Sequence, residues 1–183
     1  PAVRVDKLSF SLLPGGADLL ADVSLELPRG ARCVVIGANG AGKSTLLELL
    51  AGKKMAPAGC VKVLGEDPFR GSSGNKVSLV QGVLRSTDDV VSEAGGSFIR
   101  VWEMLGLEDP ASSGSAGGGP AASSDGRMQQ LLEMLGLGRL LQRCVGSLSD
   151  GERRRVELGR KLRQPNPMVL LDEATTDLDL LVR

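Results

Sequence analysis

The sequence contains no histidine among its 183 residues. That excludes imidazole as a general acid, a general base or a metal ligand within this stretch. Tyrosine is absent as well, and aromatic residues make up only 2% of the chain. Net charge is lacking too, because 22 Lys and Arg balance 22 Asp and Glu. A neutral chain carries no electrostatic footprint of the kind a nucleic-acid binder needs, which excludes direct nucleic-acid binding by charge. The same balance argues against holding an acidic membrane surface by charge alone. No apolar run approaches the roughly 20 residues needed to span a bilayer. The opening Pro1-Ala2-Val3-Arg4 has no signal-peptide character, and without a Met it reads as cut from something longer. The three cysteines, Cys33, Cys60 and Cys144, lie far apart with no Cys-x-x-Cys pair. They read as small buried or half-buried thiols in a reducing compartment.

What is present is a globular composition, 42% hydrophobic and 24% charged, long enough to bury a core. Val3 to Ser11 and Val23 to Leu27 alternate apolar and polar residues, as half-exposed strands do, with Pro14-Gly15-Gly16 as a turn. Arg32-Cys33-Val34-Val35-Ile36 is a β-branched run suited to a central parallel strand. Lys43 to Ala51 reads as a helix ending near Gly52. Val61 to Leu64, Lys76 to Val80 and Met168 to Leu171 read as further strands. Ser97 to Leu107, Met128 to Leu141 and Glu152 to Arg163 read as helices. The phrase Glu-Met-Leu-Gly-Leu at 103–107 and again at 133–137 reads as two helices with glycine near their C-termini. Glu108 to Gly126 is a Gly/Ser/Ala/Pro-rich insertion of flexible character. The order predicts an α/β fold with an inserted helical subdomain. Its stretches are a β-subdomain part over 1–30, a core over 31–85, a helical subdomain over 86–150, and a last stretch over 151–183.

Gly37-Ala38-Asn39-Gly40-Ala41-Gly42-Lys43-Ser44 matches G-x-x-x-x-G-K-[ST]. Glycines let the backbone wrap so that its N–H groups face phosphate oxygens. The helix that follows presents its positive dipole end to the same anion. Lys43 supplies an ammonium to the β/γ-phosphates, and Ser44 a hard oxygen for Mg²⁺. Gly37, Asn39, Gly40, Ala41, Gly42, Lys43, Ser44 and Thr45 are therefore the candidate phosphate-binding residues. A glycine-rich turn with no ligand is the bland alternative, and the strand before and apolar helix after weigh against it. Met168 to Leu171 is an apolar run ending in Asp172 and Glu173. Asp172 can reach a magnesium shell beside the loop, and Glu173 can orient or deprotonate the attacking water. An ordinary carboxylate pair at a strand end is the plainer reading. Leu148-Ser149-Asp150-Gly151-Glu152 opens a basic helix as a capping box, with Ser149 at the N-cap and Glu152 at N3. The three arginines that follow, Arg153 to Arg155, read first as a solvated helix face.

Together these residues resemble the ATP-binding cassette (ABC) ATPases, whose P-loop NTPase core carries an N-terminal antiparallel β-subdomain and an inserted helical subdomain. Gly37 to Thr45 is similar to their Walker A loop and Met168 to Glu173 to their Walker B strand. Leu148 to Glu152 is similar to their LSGGQ signature, Thr176 to Asp179 to their D-loop, and Gln81 to their Q-loop glutamine. The resemblance spans nearly the whole chain. Within the family, the segments 37–40, 50–53, 149–156 and 170–179 resemble the soluble, non-intrinsic group of plant I-subfamily and deadenylase-complex-associated type. The resemblance implies ATP and Mg²⁺ as cofactors. It assigns Lys43, Gln81 and Glu173 to catalysis, and Ser44, Gln81 and Asp172 to the metal. It further implies a head-to-tail homodimer or heterodimer in which Ser149 and Gly151 close the other subunit's site. The implied setting is cytoplasmic, with the nucleus also open, without an intrinsic membrane span, and with regulatory-complex proteins as partners.

Three departures stand out. Leu12 occupies the place where the family stacks an aromatic on adenine, a loss of about 1–2 kcal/mol. Asp150 and Glu152 replace Gly and Gln of the signature, and carboxylates near a γ-phosphate are unfavourable. The switch histidine expected after Glu173 is missing, and the domain reads as truncated before it. The expected function is ATP binding and hydrolysis as a conformational switch for partner proteins. The alternatives are the ATPase subunit of a membrane transporter, or an ATP-binding scaffold without catalysis.

Overall fold

The structure, a computed structural model, describes residues 1–71, 76–81, 98–110 and 126–173. It divides into two compact units. The first joins Pro1–Leu79 to Asn166–Asp172, and the second joins Val80–Pro165 to Glu173.

The first unit begins with the alternation seen in the sequence. Strand β1 (Val3–Phe10) buries Val3, Val5 and Leu8. The step from Val5 to Leu8 breaks strict alternation because the register slips there. Lys7 adopts a left-handed φ of 44° at the slip, and its N–H donates to Ser24 Oγ at 3.0 Å. A bulge of this kind puts Leu8 back on the core face. Strand β2 (Leu20–Leu27) pairs antiparallel on one side of β1, and β3 (Val61–Val63) pairs antiparallel on the other. Helix α1 (Lys43–Leu50) places Leu46, Leu49 and Leu50 on one face, at the i, i+3, i+4 spacing that a helix requires. Those leucines share a core with Val3, Val5, Leu8, Leu20, Val61 and Val63. Strands β4 (Val77–Gln81) and β5 (Met168–Asp172) form a separate two-stranded sheet. Just before β5, Asn166 Nδ2 donates to Ser78 Oγ of β4.

The run at 32–36 does not become the expected central strand. Residues 31–38 have no regular secondary structure, and Val34 and Ile36 are 81% and 88% exposed. A strand of this composition is stable only with neighbours on both sides. Among the described residues no strand pairs with it. Cys33 lies in this run and is exposed, against the expectation of burial, whereas Cys60 and Cys144 are half-buried free thiols.

The second unit is helical: α2 (Val101–Met104), α3 (Gly126–Met134) and α4 (Asp150–Leu162), with 3₁₀ turns at Gly138–Leu140 and Val145–Ser147. Its core joins Val101, Leu105, Met128, Leu132, Leu137, Leu140 and Val156, among others. Helix α2 is shorter than expected because Arg100 is extended and bridges to Cys144. The repeated Glu-Met-Leu-Gly-Leu phrase has a local cause. Leu107 N–H donates to Trp102 O at 2.9 Å, and Gly106 N–H to Glu103 O at 2.9 Å. Leu137 N–H donates to Leu132 O at 2.8 Å, and Gly136 N–H to Glu133 O at 3.1 Å. Both are Schellman caps, with left-handed Gly106 (φ 64°) and Gly136 (φ 61°). Of the glycine-rich stretch 108–126, residues 111–125 lie outside the described residues, as does Thr176 to Asp179.

Candidate nucleotide-binding site

The loop between Gly37 and Gly42 is turned by its own backbone, with Ala41 N–H donating to Ala38 O at 3.2 Å. Gly42 is the N-cap of α1, with φ 86° and no side-chain cap hydrogen bond. A Cβ there would stand 2.7 Å from Leu20 Cδ2, so both space and conformation require glycine. An N-cap residue ordinarily folds its own oxygen over the first-turn N–H groups. Glycine has none, so the first-turn N–H groups of Lys43, Ser44 and Thr45 face the loop without a side chain competing for them. Lys43 Nζ donates to Gly37 O at 3.0 Å and to Ala38 O at 2.8 Å. The ammonium thus lies across the loop, held by carbonyls that a phosphate oxygen can replace. Asn39, Gly40 and Ala41 form the exposed tip, whereas Thr45 is buried beneath it.

Ser44 Oγ donates to Asp172 Oδ1 at 3.1 Å, a contact between residues 128 apart in sequence. A hydroxyl and a carboxylate facing each other are hard oxygens. They fit Mg²⁺, which takes one or two protein oxygens and fills its shell with water and phosphate. Leu12, expected at the adenine-stacking position, begins the turn after β1 and is 60% exposed. Glu173 directly follows β5, is exposed, and takes a left-handed φ of 49°. A non-glycine residue held there stores strain, a common feature of functional turns.

In the second unit the signature segment forms the expected capping box. Ser149 Oγ accepts from Glu152 N–H at 3.3 Å, and Ser149 N–H donates to Glu152 Oε2 at 3.0 Å. Glu152 also pairs with Arg143 Nη1 at 2.9 Å. The Ser149 backbone hydrogen bond, aided by Arg143, holds the Glu152 carboxyl below its ordinary value against the opposing effect of burial. The carboxylate is therefore held ionised and paired inside its own unit. The Asp150 side chain is 81% exposed and lies 3.5 Å from Arg153 Nη1. Gly151 sits in the first turn and its carbonyl accepts from Arg155 Nε at 3.4 Å.

The arginines correct the sequence reading. Arg154 and Arg155 are 1% and 5% exposed, so they are not a solvated face. Arg154 Nη1 donates to Gln81 O, Arg155 Nη1 to Leu135 O at 3.5 Å, and Arg153 Nη2 to Leu148 O at 3.0 Å. Three consecutive helical residues point 100° apart and cannot share one face. Arg154 falls in the same i, i+4, i+8 row as Leu158 and Leu162, the signal that it points inward. Arg143 was missed as well, since its role depends on where Glu152 lies.

Comparison with known proteins then decides the family. Residues 20–176 match the family described as ABC transporter. The chain belongs to the ABC transporter family. Over 196 residues it is 33% identical to CCR4-associated factor 16 of Saccharomyces cerevisiae, covering 100% of this chain and 62% of that protein. It is 34% identical over 186 residues to ABC transporter I family member 21 of Arabidopsis thaliana, covering 100% of this chain and 61% of that protein. The lipoprotein-releasing system ATP-binding protein LolD of Pseudomonas fluorescens is 34% identical over 175 residues, with 93% and 72% covered. The chain thus spans about half to two thirds of the length of the first relatives it matches. A solved ATP-binding subunit of an ABC transporter superposes with a TM-score of 0.73 at 23% identity, covering 100% of this chain and 70% of that one. That likeness shows the P-loop NTPase fold. This ABC domain is ATP-binding by family, and none of its described helices is long and apolar enough to cross a membrane.

Proposed function

We propose that this chain binds Mg²⁺-ATP and hydrolyses it as part of an ABC protein that acts as a conformational switch for partner proteins in the cytoplasm. The observation that carries the reading is the Ser44–Asp172 contact at 3.1 Å beside the Lys43-spanned loop. It brings two separate motifs to one point. The similarity to CCR4-associated factor 16, a protein named for its association with another, supports a partner-directed role.

In this reading the loop residues Gly37, Asn39, Gly40, Ala41 and Gly42, with the α1 N-terminus at Thr45, hold the phosphates by backbone N–H groups. Lys43 exchanges its carbonyl partners for phosphate oxygens. Ser44 and Asp172 would hold Mg²⁺, with Gln81 as the third expected ligand. When bound, the ion neutralises charge on the β- and γ-phosphates. Gln81 and Glu173 orient the attacking water. Its oxygen bonds to the γ-phosphorus, the bond to the ADP oxygen breaks, and the proton passes to the Glu173 carboxylate. Ser149 and Gly151 of a second copy, or of a related chain, close the site head to tail. The Ser149 oxygen that accepts from Glu152 N–H can still donate its own hydrogen to phosphate. A transporter subunit is the second reading, favoured by the similarity to LolD. Co-purification with a membrane subunit would select it.

The test is calorimetric ATP binding together with phosphate release. Wild type should bind ATP and release phosphate, Lys43→Ala should lose binding, and Glu173→Gln should bind but not turn over. Absence of ATP binding by the wild type overturns the reading.

A further inference from the structure

The two carboxylates in the first turn of α4 are held in different ways. Both oxygens of Glu152 are in use. Oε2 accepts from Ser149 N–H at 3.0 Å, and Oε1 accepts from Arg143 Nη1 at 2.9 Å. Its side chain is 17% exposed. Asp150, two residues earlier, is turned outward. Its side chain is 81% exposed, and its ion pair among the described residues is with Arg153 Nη1 at 3.5 Å. That separation is longer than a well-formed N–H···O bond, and an exposed pair of this kind contributes little. Arg153 is aimed back at the turn. Its side chain is 11% exposed, and Nη2 donates to Leu148 O at 3.0 Å.

The helix start does not need the Asp150 carboxylate. Ser149 and Glu152 already complete the capping box. An acid in the first turn adds only a screened interaction with the helix dipole. One outward-facing negative charge therefore stands next to Ser149 without a structural task that demands it. On the reading that Ser149 and Gly151 close a second copy's site, that charge stands beside a triphosphate. The second copy's loop brings little to offset it. Its exposed tip, Asn39, Gly40 and Ala41, is uncharged. Its Lys43 donates to the loop carbonyls or, in that reading, to the phosphates themselves. A unit charge within about 10 Å of another at a protein surface changes an association constant by about tenfold.

We propose that Asp150 is a specificity-determining residue that works against ATP-driven pairing of two copies of this chain. The proposal rests on the head-to-tail reading given under the proposed function. It assigns the two acids of the signature separate roles: Glu152 shapes the helix start, and Asp150 sets how readily that start meets a second copy's nucleotide.

The test is sedimentation equilibrium with and without Mg²⁺-ATP, on proteins that all carry Glu173→Gln so that the nucleotide persists. ATP binding is measured separately by calorimetry. Three proteins are compared, one with Asp150 intact, one with Asp150→Asn and one with Asp150→Glu. Asp150 is exposed and outside every core cluster, so all three should fold. ATP affinity should agree within about twofold across the three. With ATP, Asp150→Asn should associate about tenfold more tightly than the protein with Asp150 intact. Asp150→Glu, which keeps the charge, should stay with the intact protein. The gap should narrow as salt rises from about 0.1 M to about 1 M, where the Debye length falls from about 10 Å to about 3 Å. The proposal is overturned if Asp150→Asn associates no more tightly, or if Asp150→Glu tightens as much as Asp150→Asn. A gap that persists undiminished at high salt overturns it as well, because it marks an effect of shape and not of charge. ATP binding without association in any of the three overturns it together with the head-to-tail reading. Absence of ATP binding in calorimetry is the distinct result that overturns the proposed function itself, and the proposal with it.

Discussion

The two helix N-termini of this domain are built in opposite ways. Helix α1 starts on a glycine with positive φ, no capping side chain and no acidic residue in its first turn. Helix α4 starts on a serine with a complete capping box, two acidic residues in its first turn and an arginine clamp on one of them. The first leaves its positive end for an outside anion. The second satisfies its own N–H groups and gains a fixed shape. A helix end left uncapped keeps its N–H groups available to an anion, whereas a capped one uses them to fix its own shape.

The difference between the two helix ends depends most on Gly42. Gly42→Ser would supply the missing cap while forcing a side chain toward Leu20 at φ 86°. ATP affinity should fall by about 100-fold, equivalent to roughly 2.7 kcal/mol, by calorimetry. Stability should fall as well, by about 1–3 kcal/mol of backbone strain.

A change of similar size but without a site effect should come from the core beneath α1. Leu49 is fully buried against the β1–β2–β3 sheet. Leu49→Ala should cost about 2–5 kcal/mol in urea unfolding while ATP binding to the folded fraction survives.

At the capped end effects should be smaller. Ser149→Ala removes one member of the box and should cost about 1 kcal/mol in urea unfolding. If the cap is only shape, phosphate release should fall no further than stability explains. A larger fall shows that the Ser149 hydroxyl also meets the nucleotide.

The smallest effect is in pH. The Glu152 carboxyl is held below its ordinary value of 4.5, chiefly by the Ser149 backbone hydrogen bond. Its stabilising contribution is therefore fully present above pH 4.5. It is lost as pH falls through the lowered native value, because the unfolded chain takes up the proton first. Wild type should lose stability over that window more steeply than Glu152→Gln, measured by urea titrations at a series of pH values. Equal slopes would show that the Arg143–Glu152 arrangement contributes nothing.

Much of the site is local and so was legible. The loop of Gly37 to Gly42, the lysine and serine that follow it, and the Ser149–Glu152 box each depend on residues within a few positions of one another. Their backbone conformations follow from glycine at positive φ and from an oxygen three residues away from an N–H. The same holds for the two Schellman caps behind the repeated phrase at 103–107 and 133–137. What failed was non-local. The apolar run Val34 to Ile36 has the composition of a central strand, but composition does not supply the neighbours that would bury it. Arg154 and Arg155 have the composition of a surface, but the helix row they occupy turns them inward.

Short-range information in the sequence was enough for the glycine-rich turn at Gly37 to Gly42, the capping box at Ser149 to Glu152, and strand β1 with its core face. All of these are set by hydrogen bonds and side-chain periods of short range. Only the tertiary structure decided that Ser44 meets Asp172 across 128 residues, and that Arg154 reaches back 73 residues to Gln81. Those pairings depend on burial and on chain reversal, since a buried charge persists only where the fold brings an acceptor to it.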